Sequence, residues 1–134
     1  MIPKYRMWNE IISRLHSVDG LYFDREVVQY KDEVGVSRFI KFKNTILMQS
    51  TGLKDKNGKE IFEGDIIRYN IDVVDIKRHP TLGFYTVLDG REGFFGDGMS
   101  IDVFEEDAKE FSKTAEIIGN VYENPELLQE QNKE

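Results

Sequence analysis

The sequence predicts a mainly β protein, in which an N-terminal β element is followed by a small barrel or sandwich, with short helices. Residues 4–7 alternate between charged and apolar side chains, the period-two pattern of a half-buried strand. The pair Asn57-Gly58 lies between two strand-like flanks and is a strong signal for a two-residue hairpin. Further short strand candidates follow at close spacing, which indicates a barrel or sandwich rather than strands joined by long helices.

Residues 8–16 allow two interpretations. The alternation just before them favours strand, whereas Asn9 is a suitable cap for a helix. Four apolar residues also fall at helical spacing: Trp8, Ile11, Ile12 and Leu15. Beyond them, Asp19-Gly20 predicts a turn, and the runs 27–30 and 38–42 predict strands because they are rich in β-branched and aromatic residues.

Turns and strands also alternate in the second half. Glu63-Gly64-Asp65 predicts a turn whose role is structural. The strand candidates are residues 66–70, 73–76, 84–88, 94–95 and 116–122. A short helix is predicted over 105–111, and Asn124-Pro125-Glu126 has the cap, proline and acid of a helix start.

Composition excludes several classes of protein. The chain of 134 residues has no cysteine, which removes disulfides, thiolate metal sites and cysteine nucleophiles. No apolar run is long enough to span a membrane, and the N-terminus lacks the pattern of a secretory leader, so we expect a cytoplasmic protein. Eighteen basic against 25 acidic residues give a net charge of −7, which argues against nonspecific binding to nucleic acid over the whole surface.

Charge is distributed unevenly and predicts the domain boundaries. Residues 1–50 carry a net +2, residues 51–122 carry −6 and residues 123–134 carry −3. We therefore expect an N-terminal β-rich element over 1–50, a barrel over 51–122, and a short helical tail over 123–134 whose end frays.

Two separated segments carry a resemblance to a known family. MQSTGLKDKNGKEIFEGDII (48–67) and IGNVYENPELL (118–128), together with the opening KYRMW (4–8), resemble the YopX family of phage and prophage proteins. The resemblance implies a phage or prophage origin, expression inside a host cell and an SH3-like barrel in the second half. It implies no established role, and no catalytic residues that could be transferred to this chain.

The hairpin around Asn57-Gly58 has a functional interpretation beside the structural one. With Gly58 at the sixth position of a calcium loop, Leu53 would be first and Gly64 twelfth, and neither supplies a carboxylate. A calcium loop is therefore excluded. A recognition loop would present an exposed tip formed by Lys54, Asp55 and Lys56.

A second candidate binding site is aromatic. Two adjacent phenylalanines between glycines cannot both point into one core from a regular strand, so one of them could be exposed or mark a bulge. An exposed ring would extend a patch able to hold a peptide, as the aromatic grooves of SH3 domains do. Its residues would be Tyr69, Tyr85, Phe94 and Phe95.

A third candidate is a strand that mixes cations and rings. Basic and aromatic side chains interleave near residue 40, so such a strand could stack bases and contact phosphates, although an ordinary amphipathic strand has the same pattern. The residues are Arg38, Phe39, Lys41, Phe42 and Lys43.

The sequence offers no catalytic set, cofactor fingerprint or metal spacing. The histidines His16 and His79 are far apart and have no adjacent motif, and no nucleophile elbow or phosphate-binding loop is present. A run of acids is typical of a solvated face, although some of its carboxylates could bridge a cation. It comprises Asp97, Asp102, Glu105, Glu106 and Asp107.

We therefore expect a non-catalytic protein-interaction module that binds a phage or host protein and needs no cofactor or membrane. The alternative is a nucleic-acid-associated protein that uses the strand near residue 40. Exposed strand edges could also pair with those of a second copy, so a homo-oligomer is a further alternative.

Overall fold

The computed structural model describes residues 4–69, 71–81, 83–88, 91–94 and 111–131. The chain forms two compact units, Met1–Ser50 and Thr51–Glu134. The paired strands are antiparallel. The prediction of a mainly β fold with short helices is therefore confirmed.

The first unit is one antiparallel sheet. Its spatial order is β4-β3-β2-β1-β5, whereas residues 51–54 of β5 and the strand β6 (Glu60–Phe62) belong to the second unit. A single 3-10 turn, Phe42–Asn44, leads into β5. The strands are β1 (Tyr5–Asn9), β2 (Arg14–Tyr22), β3 (Val27–Lys31), β4 (Ser37–Lys41) and β5 (Thr45–Lys54).

Residues 10–13 form a turn between β1 and β2, so the helical interpretation of residues 8–16 is wrong. Asn9 is 2% exposed, and its Oδ1 accepts the backbone N–H groups of Ile11 and Ile12 at 3.0 and 3.3 Å. This Asx-type turn satisfies the backbone and leaves both isoleucines exposed. The apolar spacing therefore did not reflect a buried helix face.

The turn predicted at Asp19-Gly20 is also wrong. Both residues lie inside β2, where the register against β3 shifts between Val18 and Gly20. A glycine in a strand commonly marks such a bulge. The strands predicted over 27–30 and 38–42 are confirmed as β3 and β4.

The first unit buries one side of strands β2–β4. Alternation places Val28, Tyr30 and Ile40 on the buried side and their sequence neighbours on the other. Each large apolar side chain buried in this way contributes about 1.5–3 kcal/mol. The core is Met7, Val28, Tyr30 and Ile40, with Val18, Leu21, Phe42 and Leu47 packed against it.

The second unit contains two three-stranded sheets, in the orders β12-β7-β8 and β11-β10-β9. A helix α1 includes residues 111–114, and α2 is Glu126–Gln131, directly after the predicted start at Asn124-Pro125. The remaining strands are β7 (Asp65–Tyr69), β8 (Asp72–Asp75), β9 (Lys77–His79), β10 (Gly83–Leu88), β11 (Arg91–Phe94) and β12 (Glu116–Asn120).

The core of the second unit lies between its sheets and α1. The buried residues are Ile61, Ile67, Val74, Ile76, Phe111 and Ala115, with Leu53, Tyr69, Phe84 and Ile117 packed against them. In the part of the chain that the structure describes, the strands form no closed barrel, so the SH3-like barrel is not confirmed. Phe95, the acidic run and residues 105–110 of the predicted helix lie outside the described residues.

Neither described helix has the length or the hydropathy needed to cross a membrane.

Candidate binding site

The hairpin at Asn57-Gly58 has a three-residue loop rather than the predicted two-residue one. Asp55 donates its backbone N–H to the Lys59 carbonyl at 2.8 Å, and Gly58 donates to the Asp55 carbonyl at 3.0 Å. Gly58 has a φ of +80°, a conformation that side chains other than glycine rarely adopt. The register is that of a turn followed by a bulge, which explains why glycine stands there.

Asp55 is buried inside this hairpin and does not belong to an exposed tip. It is 4% exposed, and its Oδ1 accepts the backbone N–H groups of Asn57 and Lys59 at 2.9 Å each. Its Oδ2 accepts the N–H of Ile117 at 3.1 Å. Burial alone would raise the pKa of Asp55, but these three donors outweigh it and lower the pKa. The carboxylate is therefore structural.

Lys56 connects the same loop to the start of β12. Its backbone N–H donates to the Ala115 carbonyl at 2.8 Å, and its Nζ lies 3.2 Å from Glu116 Oε2. Lys54 is exposed and has no ion pair within the described part of the chain. Of the three predicted residues, Lys54 is thus the one whose side chain forms no ion pair or hydrogen bond with the described residues.

The two segments that carry the family resemblance meet in the second unit. Val121 donates its N–H to the Gly64 carbonyl at 2.9 Å, and Asp65 pairs with Asn120 across β7 and β12. Asp65 is 2% exposed and accepts the Phe62 N–H at 2.8 Å. These residues close turns and strand ends, so their roles are structural.

The residues of the predicted aromatic patch lie in different places: one packs against the core and another lies on β10. Tyr69 stacks on Phe111 of the core, with ring centroids 5.3 Å apart and planes at 29°. Tyr85 lies on β10, opposite Phe94 in the register with β11. Phe95 lies outside the described residues. The described contacts therefore do not assemble these residues into one groove.

The five candidate residues near residue 40 do not lie on one surface, because successive side chains of a strand point to opposite sides of the sheet. Phe39 and Lys41 lie on the side of β4 opposite the core, whereas Arg38 lies on the side of Tyr30. Phe42 packs against the core and Lys43 is exposed in the 3-10 turn. Of the five predicted residues, two therefore share the outward side of the sheet.

Arg38 already has an acidic partner. Its Nε donates to Asp32 Oδ2 at 2.6 Å, while Asp32 Oδ1 accepts the N–H groups of Val34 and Val36 at 3.0 and 2.9 Å. Its hydrogen bond to Arg38 is the main cause of the lowered pKa of Asp32, and the same bond raises the pKa of Arg38. Arg38 is thus held by Asp32 within its own unit.

Outward side chains of three strands form a continuous surface, which we name the aromatic face. The register places Tyr22, Val27 and Lys41 in one row, Gly20, Gln29 and Phe39 in the next, and Lys31 and Ser37 in a third. None of these eight residues is acidic. Tyr22 and Phe39 are 42% and 59% exposed.

Contacts within the aromatic face hold its side chains in place. The Tyr22 hydroxyl donates to Gln29 Oε1 at 2.9 Å, and Gln29 Nε2 donates to Ser37 Oγ at 2.9 Å. The rings of Tyr22 and Phe39 lie 6.0 Å apart and are tilted by 56°. The two rings are therefore ordered by neighbours while a large part of each is exposed.

The lysines of the aromatic face differ from many cations of this chain. Lys31 and Lys41 have no ion pair within the described part of the chain, and both are exposed. Several other described cations are paired with acids, at 2.6 to 3.4 Å. These pairs are Arg14–Glu33, Arg38–Asp32, Lys56–Glu116, Lys77–Asp75 and Arg78–Glu63.

Sequence reasoning missed Tyr22, Gln29 and Lys31 in this face. Alternation along β3 could have placed Gln29 and Lys31 on one side, because Val28 and Tyr30 are the apolar positions between them. Tyr22 joins them only through the register across the bulge in β2, which the local sequence does not specify.

The described residues hold no group of three or more histidine, cysteine or acidic side chains close enough for a metal ion. His16 is buried against the Tyr30 ring, with centroids 4.5 Å apart. His79 Nδ1 accepts the backbone N–H of Thr81 at 3.1 Å. The acidic run, for which a bridging cation was the alternative, lies outside the described residues.

Comparison with known proteins identifies a family and a similar crystal structure. A family model described as "YopX protein" matches residues 4–129. A crystal structure of protein EF1440 from Enterococcus faecalis is 31% identical, with a TM-score of 0.52, and the match covers 96% of this chain and 99% of that one. No curated protein matches.

Proposed function

The chain belongs to the YopX family, and we propose that this member is a non-catalytic interaction module that binds its partner through the aromatic face. The observation that carries the proposal is the pair of ordered, exposed rings, Tyr22 and Phe39, beside two unpaired lysines. Exposed aromatic surface of this kind commonly marks an interaction site. Of the surfaces described, this one combines rings, hydrogen-bonding groups and free cations.

Four of the polar side chains buried in the described residues support a role without catalysis. The Asp55 and Asp65 carboxylates accept backbone N–H groups, as do the Asn9 and Asn120 amide oxygens. Groups committed to the backbone are poor acid–base catalysts, because moving a proton would break the bonds that hold the turn. We therefore propose that the chain acts by binding and not by catalysis.

The second unit supplies a scaffold in this proposal. We keep the SH3-like barrel as the expected architecture for residues 51–122, because the family resemblance implies it. A phage or prophage origin and a cytoplasmic location in the host cell are expectations of the same kind. A phage or host protein is the partner class that the sequence favours, and nucleic acid is the other.

Affinity capture tests the proposal without assuming the partner class. The tagged chain is incubated with lysate of phage-infected cells, with and without nuclease, and bound material is identified by mass spectrometry. The variant Tyr22→Ala/Phe39→Ala removes both rings. Ile71→Ala is the matched control, because Ile71 is an apolar side chain of the second unit and is 90% exposed.

We expect a partner that the wild-type chain and Ile71→Ala retain and that the double variant loses. Circular dichroism of each variant shows whether it is folded. A partner retained equally by the folded double variant would contradict a binding role for the aromatic face.

A further inference from the structure

We infer that the aromatic face binds single-stranded nucleic acid, with bases stacked on Tyr22 and Phe39 and phosphates held by Lys31 and Lys41. The inference rests on the proposed function, because it names the partner of the same face. It goes beyond that proposal by committing to one class of ligand.

The two rings are suited to stacking. A base has a flat π surface, and stacking on an aromatic side chain is tolerant of sequence because each base offers such a surface. Phe39 and Tyr22 are ordered on the sheet, lie 6.0 Å apart and are 59% and 42% exposed. Their tilt of 56° prevents the rings from stacking on each other. The exposed part of each ring is available to a base.

Gly20 lies in the middle of the aromatic face, where it has no side chain to project from the sheet. A Cβ at this position would lie 3.2 Å from Tyr22 Cε2 and 3.4 Å from Gln29 Oε1, so the Tyr22 ring covers the bare backbone here. Gln29 bonds to Tyr22 and Ser37 on either side of it. These contacts hold the Tyr22 ring over Gly20 and beside Phe39, with part of each ring exposed.

The lysines lie at the two ends of the aromatic face. Lys41 is in the row of Tyr22, and Lys31 is in the row of Ser37, with the row of Phe39 between them. At about 3.4 Å per strand residue, the four intervals from Ser37 to Lys41 span roughly 14 Å. Two cations at this separation can contact phosphates on either side of the stacked bases.

Charge favours a polyanion over a protein segment. The eight residues that define the face include two lysines and no acid, and neither lysine has an internal partner in the described ranges. The acidic excess of the chain lies beyond residue 50. An unpaired cation beside an exposed ring is the arrangement by which single strands are bound, since phosphates and bases are engaged together.

The geometry also selects a single strand over a duplex. The rings lie on the surface of three neighbouring strands of the sheet, where they can reach a base only if its face is free. In a duplex each base is stacked between its neighbours, so the rings would have no surface to contact.

Fluorescence anisotropy of labelled oligonucleotides tests the inference. The probes are an oligothymidylate and an oligouridylate of about 15 nucleotides and a duplex of the same length, each titrated with the full chain at 50 and 200 mM salt. The variants are Phe39→Ala, Tyr22→Ala and Lys31→Glu/Lys41→Glu. The matched control, Lys54→Glu/Lys59→Glu, makes the same charge change on exposed lysines of the second unit.

We expect binding of the single strands, with the duplex bound at least tenfold more weakly. Each ring variant should lose about tenfold in affinity. The Lys31→Glu/Lys41→Glu variant should reduce the slope of log K against log salt by about 1.4, because each phosphate contact on a single strand contributes about 0.7. The charge control should keep the wild-type slope and its affinity within a factor of about two.

Three outcomes would overturn the inference: no binding of either single strand, a preference for the duplex, or equal losses in the face variant and the charge control. The proposed function has a separate outcome. A protein that is captured despite nuclease, and that only the double-ring variant fails to capture, would support the face as a protein-binding site. It would also reject nucleic acid as the ligand of the face. If one of these three outcomes occurs and the double-ring variant also captures the same material as the wild-type chain, both proposals fail.

Discussion

The Asp55 carboxylate accepts the backbone N–H of Ile117, 62 residues later in the chain, at 3.1 Å. The other carboxylate oxygen closes the local hairpin, so one side chain fastens the loop to the edge of β12. Asp32 closes the same kind of turn in the first unit, but there Arg38 takes the second oxygen. The same local motif is thus used once for a long-range contact and once for an ion pair.

Replacing Asp55 with alanine should lower the free energy of unfolding by about 2–4 kcal/mol. Three backbone donors would lose a charged acceptor, and each such loss is costly when the groups are buried. Asp55→Asn keeps one acceptor oxygen and should cost less. Urea unfolding followed by circular dichroism measures both changes. The neighbouring Lys54→Ala should stay within about 0.5 kcal/mol of wild type, and a similar loss in Lys54→Ala would contradict this account.

Stability should fall in acid partly through Asp55 and Asp32, whose pKa values are lowered in the folded chain. The unfolded chain then binds more protons than the folded chain as the pH falls toward these pKa values, so stability rises with pH across that range. Their contribution is complete above the ordinary pKa of 3.8 and disappears once the pH passes below the folded values. The Tm measured from pH 6 to pH 2 should drop less steeply in Asp55→Asn than in wild type. Parallel curves would show that Asp55 is not a source of the acid sensitivity.

A methyl group at Gly119 should destabilise the second unit by about 1–3 kcal/mol. The new Cβ would lie 2.6 Å from Asn124 Oδ1 and 3.0 Å from Asn124 Cβ, closer than packed atoms allow. A double-mutant cycle with Asn124→Ala measures the coupling by urea unfolding. The loss from Gly119→Ala should shrink once the Asn124 side chain is removed. Additive losses would mean that this contact is not the cause.

Phe39→Ala should change the free energy of unfolding by less than about 1 kcal/mol, because its ring is 59% exposed and lies outside the core. Ile40→Ala, the next residue, removes a side chain that is 7% exposed and should cost about 2–5 kcal/mol. Thermal or urea unfolding of the two variants compares opposite sides of the same strand. A large loss in Phe39→Ala would indicate that its ring supports the fold rather than a partner.

Much of the strand pattern follows from local chemistry. Alternation at Val28 and Tyr30 identifies β3, and Pro125 after Asn124 identifies the start of α2, because both signals act within a few residues. The turn at 10–13 escaped prediction because Asn9 can cap a helix or close a turn with the same carboxamide. The apolar residues around it could not decide between the two.

The candidate site was harder to predict because it depends on contacts between strands. Phe39 and Lys41 were among the candidates from β4, but Arg38 and Phe42 lie elsewhere once the strand alternates. Tyr22 reaches the face through the register across the bulge in β2, and this register depends on the pairing with β3. The hairpin loop was expected to be exposed at Asp55, whose partner Ile117 is too distant in sequence for local rules.

Backbone chemical shifts recorded during titration with the oligothymidylate test the central claim most directly. The aromatic face predicts that the perturbed amides cluster in residues 20–22, 27–31 and 37–41, with little change over residues 51–69. Phe39→Ala should reduce the perturbations throughout that cluster. Perturbations centred on the hairpin at 54–59, or spread evenly over both units, would contradict a binding role for this face.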